Sequence, residues 1–242
     1  MTLLLGAICT DGVVLAADRK FTSSNPAYGD KITGELNGIL TGFSGDRGNF
    51  VLFTTGLKKF VTDYAKSQMR EIFQSPFPNI DSIIWEINHI KTELRHHKFH
   101  VLMGVSGSYF GNQKSRLYHF FDDDGCVPIE YSYEALGSGE PYCSYLMKKY
   151  YRDSMKMEEF AQLADFVIRF VSDPNYDLSR GEVGLDPENQ FPQIVYIPDN
   201  PDLCKSHNDG NPKLDCSPTP EELDNFRSYS NDKLRILHDQ SF

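Results

Sequence analysis

The sequence predicts an α+β fold of four layers, in which two β-sheets pack on each other between two layers of helices. First, strand-length apolar runs alternate with pairs of helix-like segments, in the order strands, two helices, strands, two helices, strand. Second, the earliest runs are almost continuously apolar, which is typical of strands covered on both faces. Third, each helix pair has an apolar face that must be buried on a sheet. A four-layer αββα sandwich meets all three requirements.

The chain begins with a predicted β-hairpin. Two apolar, β-rich runs, Leu3–Cys9 and Val13–Ala17, flank the dipeptide Asp11-Gly12, which is typical of a tight turn. The later elements follow from the hydrophobic period and from breakers such as Pro76 and Pro78. We predict strands over 31–36, 39–43, 99–105, 116–121, 127–131 and 193–197, and helices over 49–73, 81–94, 140–151 and 157–171.

The last part of the chain has a different composition. We assign residues 1–198 to the sandwich domain and residues 199–242 to a polar, acidic C-terminal extension. Within the extension, Thr219-Pro220-Glu221-Glu222 is a capping box with proline at the first helical position, so it predicts a short terminal helix through Leu223, Phe226, Leu234 and Leu237. This extension could cap an interface, gate access to a site or remain mobile.

Composition limits the possible partners and the compartment. The 242 residues carry a net charge of −10, and Lys and Arg form no basic stripe, which argues against nucleic acid or an anionic membrane as partner. No apolar run approaches the roughly 20 residues that span a bilayer, and residues 3–9 lack the flanks of a signal peptide. The five cysteines are odd in number and widely spaced, which indicates reduced thiols and a cytoplasmic protein.

The hairpin brings chemically useful side chains together. With the turn centred on Asp11-Gly12, Thr2 falls opposite Phe21, and Asp18 and Lys20 project near the same end of the ladder. If Met1 is removed, the free amine of Thr2 can take the proton of its own hydroxyl, an established way to activate a threonine nucleophile. A strand that simply starts on a β-branched residue explains Thr2 as well.

Several segments resemble one known family. TLLLGAICTDGVVLAADRKF looks like the amino-terminal stretch of proteasome β subunits, which are N-terminal-nucleophile (Ntn) hydrolases. ITGELNGILTGFSGDRGN is similar to the family's region that ends in an oxyanion-hole glycine. FHVLMGVSG, RLYHFFDDDGCV, ALGSGEPYC and MEEFAQLADFVIRFVSD resemble its later strands and helices. Together these pieces match over residues 2–198 in order and spacing.

The resemblance implies a catalytic set and a mechanism. It makes Thr2 the nucleophile, Lys31 the catalytic lysine paired with Asp18, and Gly45 the oxyanion donor, which is typically worth about 10²–10³ in rate. Ser138 corresponds to a serine near the N-terminal amine. A further Asp…Ser pair corresponds to Asp177 and Ser179, which lie one residue closer together than in the family, so Tyr176 could take the place of Asp177.

A pocket for the residue before the scissile bond follows from the same resemblance. Its expected lining is Phe21, Thr33, Phe43 and Arg47. Phe43 would favour apolar side chains, and Arg47 leaves an acidic preference open. The interval from Asp18 to Lys31 is about three residues shorter than usual in the family, so we expect the loop lining this pocket to differ.

The sequence therefore predicts a threonine peptidase that cleaves peptide or protein substrates through an acyl-enzyme on Thr2. The resemblance also implies a homo- or hetero-oligomeric ring, with contacts made by the helix layers, and neither a metal nor an organic cofactor. Two alternatives remain open. One is a non-catalytic ring subunit or scaffold that retains the fold, and the other is a specialised Ntn amidohydrolase or transpeptidase acting on one amide.

Overall fold

The structure is a computed structural model. It describes residues 2–21, 27–36, 38–45, 47–68, 80–93, 100–107, 115–121, 125–129, 133–174, 183–188, 190–200 and 217–239. Its strands are β1 (Leu3–Cys9), β2 (Gly12–Ala17), β3 (Lys20–Phe21), β4 (Ala27–Tyr28), β5 (Ile32–Leu36), β6 (Ile39–Ser44), β7 (His100–Val105), β8 (Arg116–Phe121), β9 (Gly125–Pro128), β10 (Tyr133–Gly137) and β11 (Gln193–Pro198). Its helices are α1 (Arg47–Gln68), α2 (Ile80–Glu93), α3 (Glu140–Tyr150), α4 (Met157–Ser172) and α5 (Pro220–Asp239).

Two antiparallel sheets form the centre of the molecule. The first sheet has the order β10-β1-β2-β11, and the second runs β5-β6-β7-β8-β9 in chain order. Leucines such as Leu4 and Leu15 of the first sheet pack with Leu40 and Leu102 of the second. Gly42 allows the close approach, because a Cβ there would lie 2.6 Å from Leu4 Cδ1. β1, β2, β6 and β7 are buried on both faces along almost their whole length, as continuous apolar character predicts.

Helices cover the outer face of each sheet. α1 and α2 pack on the second sheet around Phe53, Ile87 and Phe120. α3 and α4 pack on the first sheet, where α4 contributes Phe160 and Phe166 to the largest core cluster. The predicted α+β four-layer sandwich is therefore confirmed.

The C-terminal helix packs on the outside of α4. Phe226 is 1 % exposed and belongs to the core cluster of the first sheet, and Ser230 Oγ donates to Asp165 Oδ2. The predicted capping box is present, since Thr219 N donates to Glu222 Oε2 and Glu222 N donates to Thr219 Oγ1. α5 spans 20 residues and includes Leu223, Phe226, Leu234 and Leu237, through which the sequence predicts a terminal helix.

The predicted register of the first hairpin is wrong. The hairpin pairs Cys9 with Gly12 and Leu4 with Ala17, so Thr2 falls in register with Arg19 and not with Phe21. The two-residue turn is Thr10-Asp11, one residue earlier in the chain than the Asp-Gly signal suggests.

The strand prediction also omits β10, and the strand expected at 127–131 instead spans Gly125–Pro128. The omitted strand YEALG is half-exposed at both ends. Its sequence therefore lacks the apolar pattern that would indicate its pairing with β1. None of the helices in the described ranges is long and apolar enough to cross a membrane.

Candidate functional site

The side chains predicted to be catalytic lie where several strands begin or end. Thr2 precedes β1, Asp18 follows β2 and Lys31 precedes β5. The hairpin brings Asp18 beside the start of β1, because Asp18 N donates to Leu3 O at 3.1 Å and Leu3 N donates to Asp18 Oδ1 at 2.9 Å. The second sheet brings Lys31 to the same point, with its Nζ 2.7 Å from Asp18 Oδ1.

Asp18 is a fully buried carboxylate that accepts four hydrogen bonds. Besides Lys31 Nζ and Leu3 N on Oδ1, its Oδ2 accepts from Lys20 N at 3.2 Å and Gly184 N at 3.1 Å. Backbone donors compensate part of the cost of removing a carboxylate from water. The carboxylate therefore ties together the hairpin, β5 and the segment at residue 184.

Lys31 is 1 % exposed and has little contact with water. Its Nζ donates to Asp18 and, at 2.5 Å, to the carbonyl of Lys20, and it lies 5.1 Å from the centre of the Phe21 ring. Burial lowers the pKa of Lys31 below its ordinary range, while the charge and hydrogen bond of Asp18 act in the opposite direction. A lysine with a lowered pKa exchanges its proton more readily than an exposed one.

Burial also dominates the titration of the partner. It raises the pKa of Asp18 above its usual range, and Lys31 together with the Leu3 and Gly184 amides works against that rise. Both shifts have desolvation as their largest cause, and the contact of 2.7 Å with the partner charge opposes each of them. The pair is therefore held by close geometry in a dry environment, where removing either partner is costly.

Thr2 lies against the end of β10 and is 1 % exposed. Gly137, the last residue of that strand, has φ +103°, and a Cβ there would lie only 1.7 Å from Thr2 O and 3.3 Å from Ser44 Oγ. Glycine is therefore required at this position, both for its backbone conformation and for the close approach. Ser44 ends β6, so the ends of β6 and β10 meet beside Thr2.

Two further predicted residues are at the same strand ends. Ser138 follows Gly137, and its Oγ is buried without a hydrogen-bond partner in the part of the chain that the structure describes. Gly45 follows Ser44 with φ +146°, a conformation that favours glycine. The structure therefore brings Thr2, Gly45 and Ser138 to one edge of the sandwich.

The residues predicted to line the substrate pocket lie in different surroundings. Phe21 is 7 % exposed and faces Lys31, so it lies at the site. Phe43 is 1 % exposed and packs in the core between the second sheet and α1–α2, and Thr33 pairs with Thr41. Arg47 begins α1. Its side chain and residues 176, 177 and 179 (Tyr176, Asp177 and Ser179) lie outside what the structure describes.

Gln193 belongs to this site although the sequence reasoning does not single it out. Its Oε1 accepts the amides of Lys31 at 2.6 Å and Ile32 at 2.8 Å, and its Nε2 donates to Ile32 O at 2.7 Å. The sequence indicates Gln193 only as a polar residue at the start of the apolar run QIVYIP. Within the described ranges, no three His, Cys, Asp or Glu side chains form a cluster suited to a metal ion.

Architecture and site together define a class. A four-layer αββα sandwich with a threonine at the start of its first strand, beside a buried Asp–Lys pair, has the fold of the Ntn hydrolases. The chain belongs to the proteasome family, because the family's profile, described as proteasome subunit, matches residues 2–183. The family predicted from the sequence is thus confirmed.

The curated relatives carry the name of the other subunit type. Proteasome subunit alpha of Methanocaldococcus jannaschii is 29% identical over 203 residues, which is 82% of this chain and 70% of that protein. Proteasome subunit alpha of Methanococcus vannielii is 28% identical over 199 residues, 80% of this chain and 70% of that protein. The sequence segments resemble β subunits, whereas the curated relatives that match are named α subunits.

Solved structures support the fold over nearly the whole chain. Anbu from Hyphomicrobium sp. strain MC1 superposes with a TM-score of 0.67 at 14% identity, covering 98% of this chain and 96% of that chain. A Gly-1 mutant of the same protein gives a TM-score of 0.68 at 13% identity, covering 99% and 96%. At this identity the likeness concerns the fold alone.

Proposed function

We propose that the chain is a ring-forming subunit of a proteasome-type assembly and that its contribution is structural. The observation that carries this proposal is the similarity, over four fifths of the chain, to proteins named proteasome subunit alpha. In this role the Asp18–Lys31 ion pair connects the β1–β2 hairpin to the second sheet.

The outer face of the α1–α2 layer supports assembly through that layer. Large apolar side chains are exposed there: Val51 by 54%, Leu52 by 59% and Trp85 by 65%. Trp85 also borders a groove of about 410 Å³ with Phe60 and Tyr64 between the two helices. Exposed apolar surface of this kind marks protein–protein contacts. We expect neighbouring subunits to cover it.

A pair of matched variants tests the proposal. Leu52→Glu introduces a charge on the α1–α2 face, and Ile236→Glu introduces the same charge on α5, where Ile236 is 46 % exposed. Sedimentation velocity should report loss of the oligomer for Leu52→Glu only, because a buried, unpaired charge at an interface costs several kcal/mol. Equal behaviour of the two variants, with an intact oligomer in both, contradicts assembly through this face.

A threonine peptidase is the second candidate, and one observation favours it. The dry Asp18–Lys31 pair and the Ser138 hydroxyl, which has no hydrogen-bond partner among the described residues, lie beside Thr2, as nucleophile activation would require. With Met1 removed, the Thr2 amine would accept the hydroxyl proton while Oγ attacks the substrate carbonyl, and the resulting ammonium would give that proton to the leaving amine as the C–N bond breaks. The Gly45 amide would stabilise the oxyanion, and water would later release the acyl group.

The N-terminal peptide separates the two candidates. Its mass shows whether Met1 is absent, and a covalent inhibitor of N-terminal threonines should then add its mass to that peptide. Thr2→Ser should retain the adduct and turnover of peptide substrates, whereas Thr2→Ala should lose both. A retained Met1 in the assembled protein, or turnover that is unchanged in Thr2→Ala, refutes the peptidase.

A further inference from the structure

Gln193 bridges the two sheets of the sandwich next to Lys31. It is the first residue of β11 in the first sheet and is 8 % exposed. Its side-chain amide makes three hydrogen bonds to the second sheet, two from the Lys31 and Ile32 amides and one to the Ile32 carbonyl. One side chain therefore fixes the backbone from which the Lys31 side chain extends.

The backbone of Gln193 is fixed to the strand that carries the partner of Lys31. Gln193 pairs with Ala17 in the β2–β11 ladder, and Ala17 directly precedes Asp18. The side chain of Gln193 thus holds Lys31, while its main chain is in register with the strand of Asp18. The two connections meet at the contact between Lys31 Nζ and Asp18 Oδ1, which are 2.7 Å apart.

The residues just before Gln193 are held by the helix layer. The guanidinium carbon of Arg227 on α5 lies 4.1 Å from the centre of the Phe191 ring, and that of Arg169 on α4 lies 5.4 Å from it. Such stacking stabilises an aromatic ring and a guanidinium group in a fixed orientation. The carbonyl of Phe191 also accepts Arg19 Nε at 3.1 Å, next to Asp18 in the chain.

We propose that Gln193 is a positioning residue for Lys31 and that α5 supports it through Phe191. The interaction joins β11 and the C-terminal helix, which both lie beyond the 2–183 segment matched by the family profile, to the Asp18–Lys31 pair. The inference goes beyond the ring function, and its test observes Lys31 directly. The positioning role of Gln193 can therefore be refuted while the ring function stands, and the ring function can be refuted while the positioning role stands.

The first test replaces the side-chain amide in the full-length protein. Gln193→Met keeps the volume but removes all three hydrogen bonds. Hydrogen exchange of the Lys31 and Ile32 amides should accelerate about tenfold or more, as expected when a buried amide loses its acceptor. The Lys31 pKa, read from the ¹³Cε chemical shift, should rise towards its ordinary value as water reaches the side chain.

Two further variants separate positioning from general destabilisation. Gln193→Glu keeps an acceptor for both amides but loses the donor to Ile32 O, so their exchange should accelerate less than in Gln193→Met. Gln162→Met makes the same exchange on α4, outside this network, and should leave the Lys31 pKa unchanged. If Gln193→Met leaves both the Lys31 pKa and the exchange of these two amides unchanged, Gln193 does not position Lys31.

The contribution of α5 has its own matched pair. Arg227→Met removes the cation stacked on Phe191, whereas Arg235→Met removes an exposed arginine of the same helix, paired with Asp232 at 3.9 Å. Only Arg227→Met should accelerate exchange at Lys31 and Ile32, by a smaller factor than Gln193→Met. Equal exchange in the two arginine variants refutes the support by α5, and should Gln193→Met fail to fold, Arg227→Met still tests the connection.

Discussion

Replacing Lys31 by methionine tests how strongly the buried ion pair holds the two sheets together. The Lys31→Met side chain would keep most of the aliphatic stem beside the Phe21 ring, so the change removes mainly the ammonium group. Asp18 would remain fully buried with three backbone donors, the amides of Leu3, Lys20 and Gly184. These donors compensate part of the lost charge.

The expected loss follows from the burial of both partners. Breaking a buried ion pair typically costs about 3–5 kcal/mol, and the three remaining donors favour the lower end, about 3 kcal/mol. With a urea m-value of about 3 kcal/mol/M, the unfolding midpoint should fall by about 1 M. Arg235→Met, which breaks an exposed pair, should cost less than about 1 kcal/mol.

A double-mutant cycle in urea, followed by circular dichroism, completes this test. Asp18→Asn leaves the Lys31 ammonium buried without its counter-ion, so it should cost at least as much as Lys31→Met. The double variant should be less destabilised than the sum of the singles by about 2 kcal/mol or more, because the two groups interact directly. Additive losses, or a Lys31→Met cost within about 0.5 kcal/mol of the parent, would refute the reasoning.

Three other predictions concern the surroundings of the site, the attachment of α5 and the pH dependence of stability. Gly137→Ala should cost at least about 2 kcal/mol more in thermal unfolding than Gly125→Ala, because both have positive φ but only the first Cβ collides with backbone. Phe226→Ala should cost about 3–5 kcal/mol and expose α5 to limited proteolysis, and unchanged protection would contradict its anchoring role. Glu134→Gln should stabilise the protein at pH 7 and not at pH 4. Burial, with a smaller contribution from Glu140, raises the pKa of Glu134 above its ordinary value of 4.5, so its contribution to stability is present at low pH and is lost as the pH rises. A gain of equal size at both pH values in urea unfolding would contradict this sign.

Much of the fold could be predicted because the apolar pattern is strong. β1 and β2 follow from continuous runs of apolar residues, and the start of α5 follows from a capping box whose hydrogen bonds are all local. β10 could not be predicted in the same way. Its pairing with β1 is decided by a partner more than a hundred residues away, which the local pattern does not carry.

The residues of the candidate site also include some that the sequence predicts and some that it does not. Asp18 and Lys31 could be identified from the resemblance, and the structure gives them a contact of 2.7 Å. Gln193 and Gly184 could not, because their roles arise from hydrogen bonds between segments far apart in the chain. Phe43 illustrates the converse, since its position in the chain suggests a pocket while its side chain packs in the core.

Native mass spectrometry of the tagged chain, purified from its own cells so that any partner subunits are present, tests the ring proposal most directly. We predict a closed assembly of many subunits that contains this chain. We also predict that Leu52→Glu releases the chain from it while Ile236→Glu does not. A mass equal to that of a single chain in the unmodified protein would contradict the proposed function.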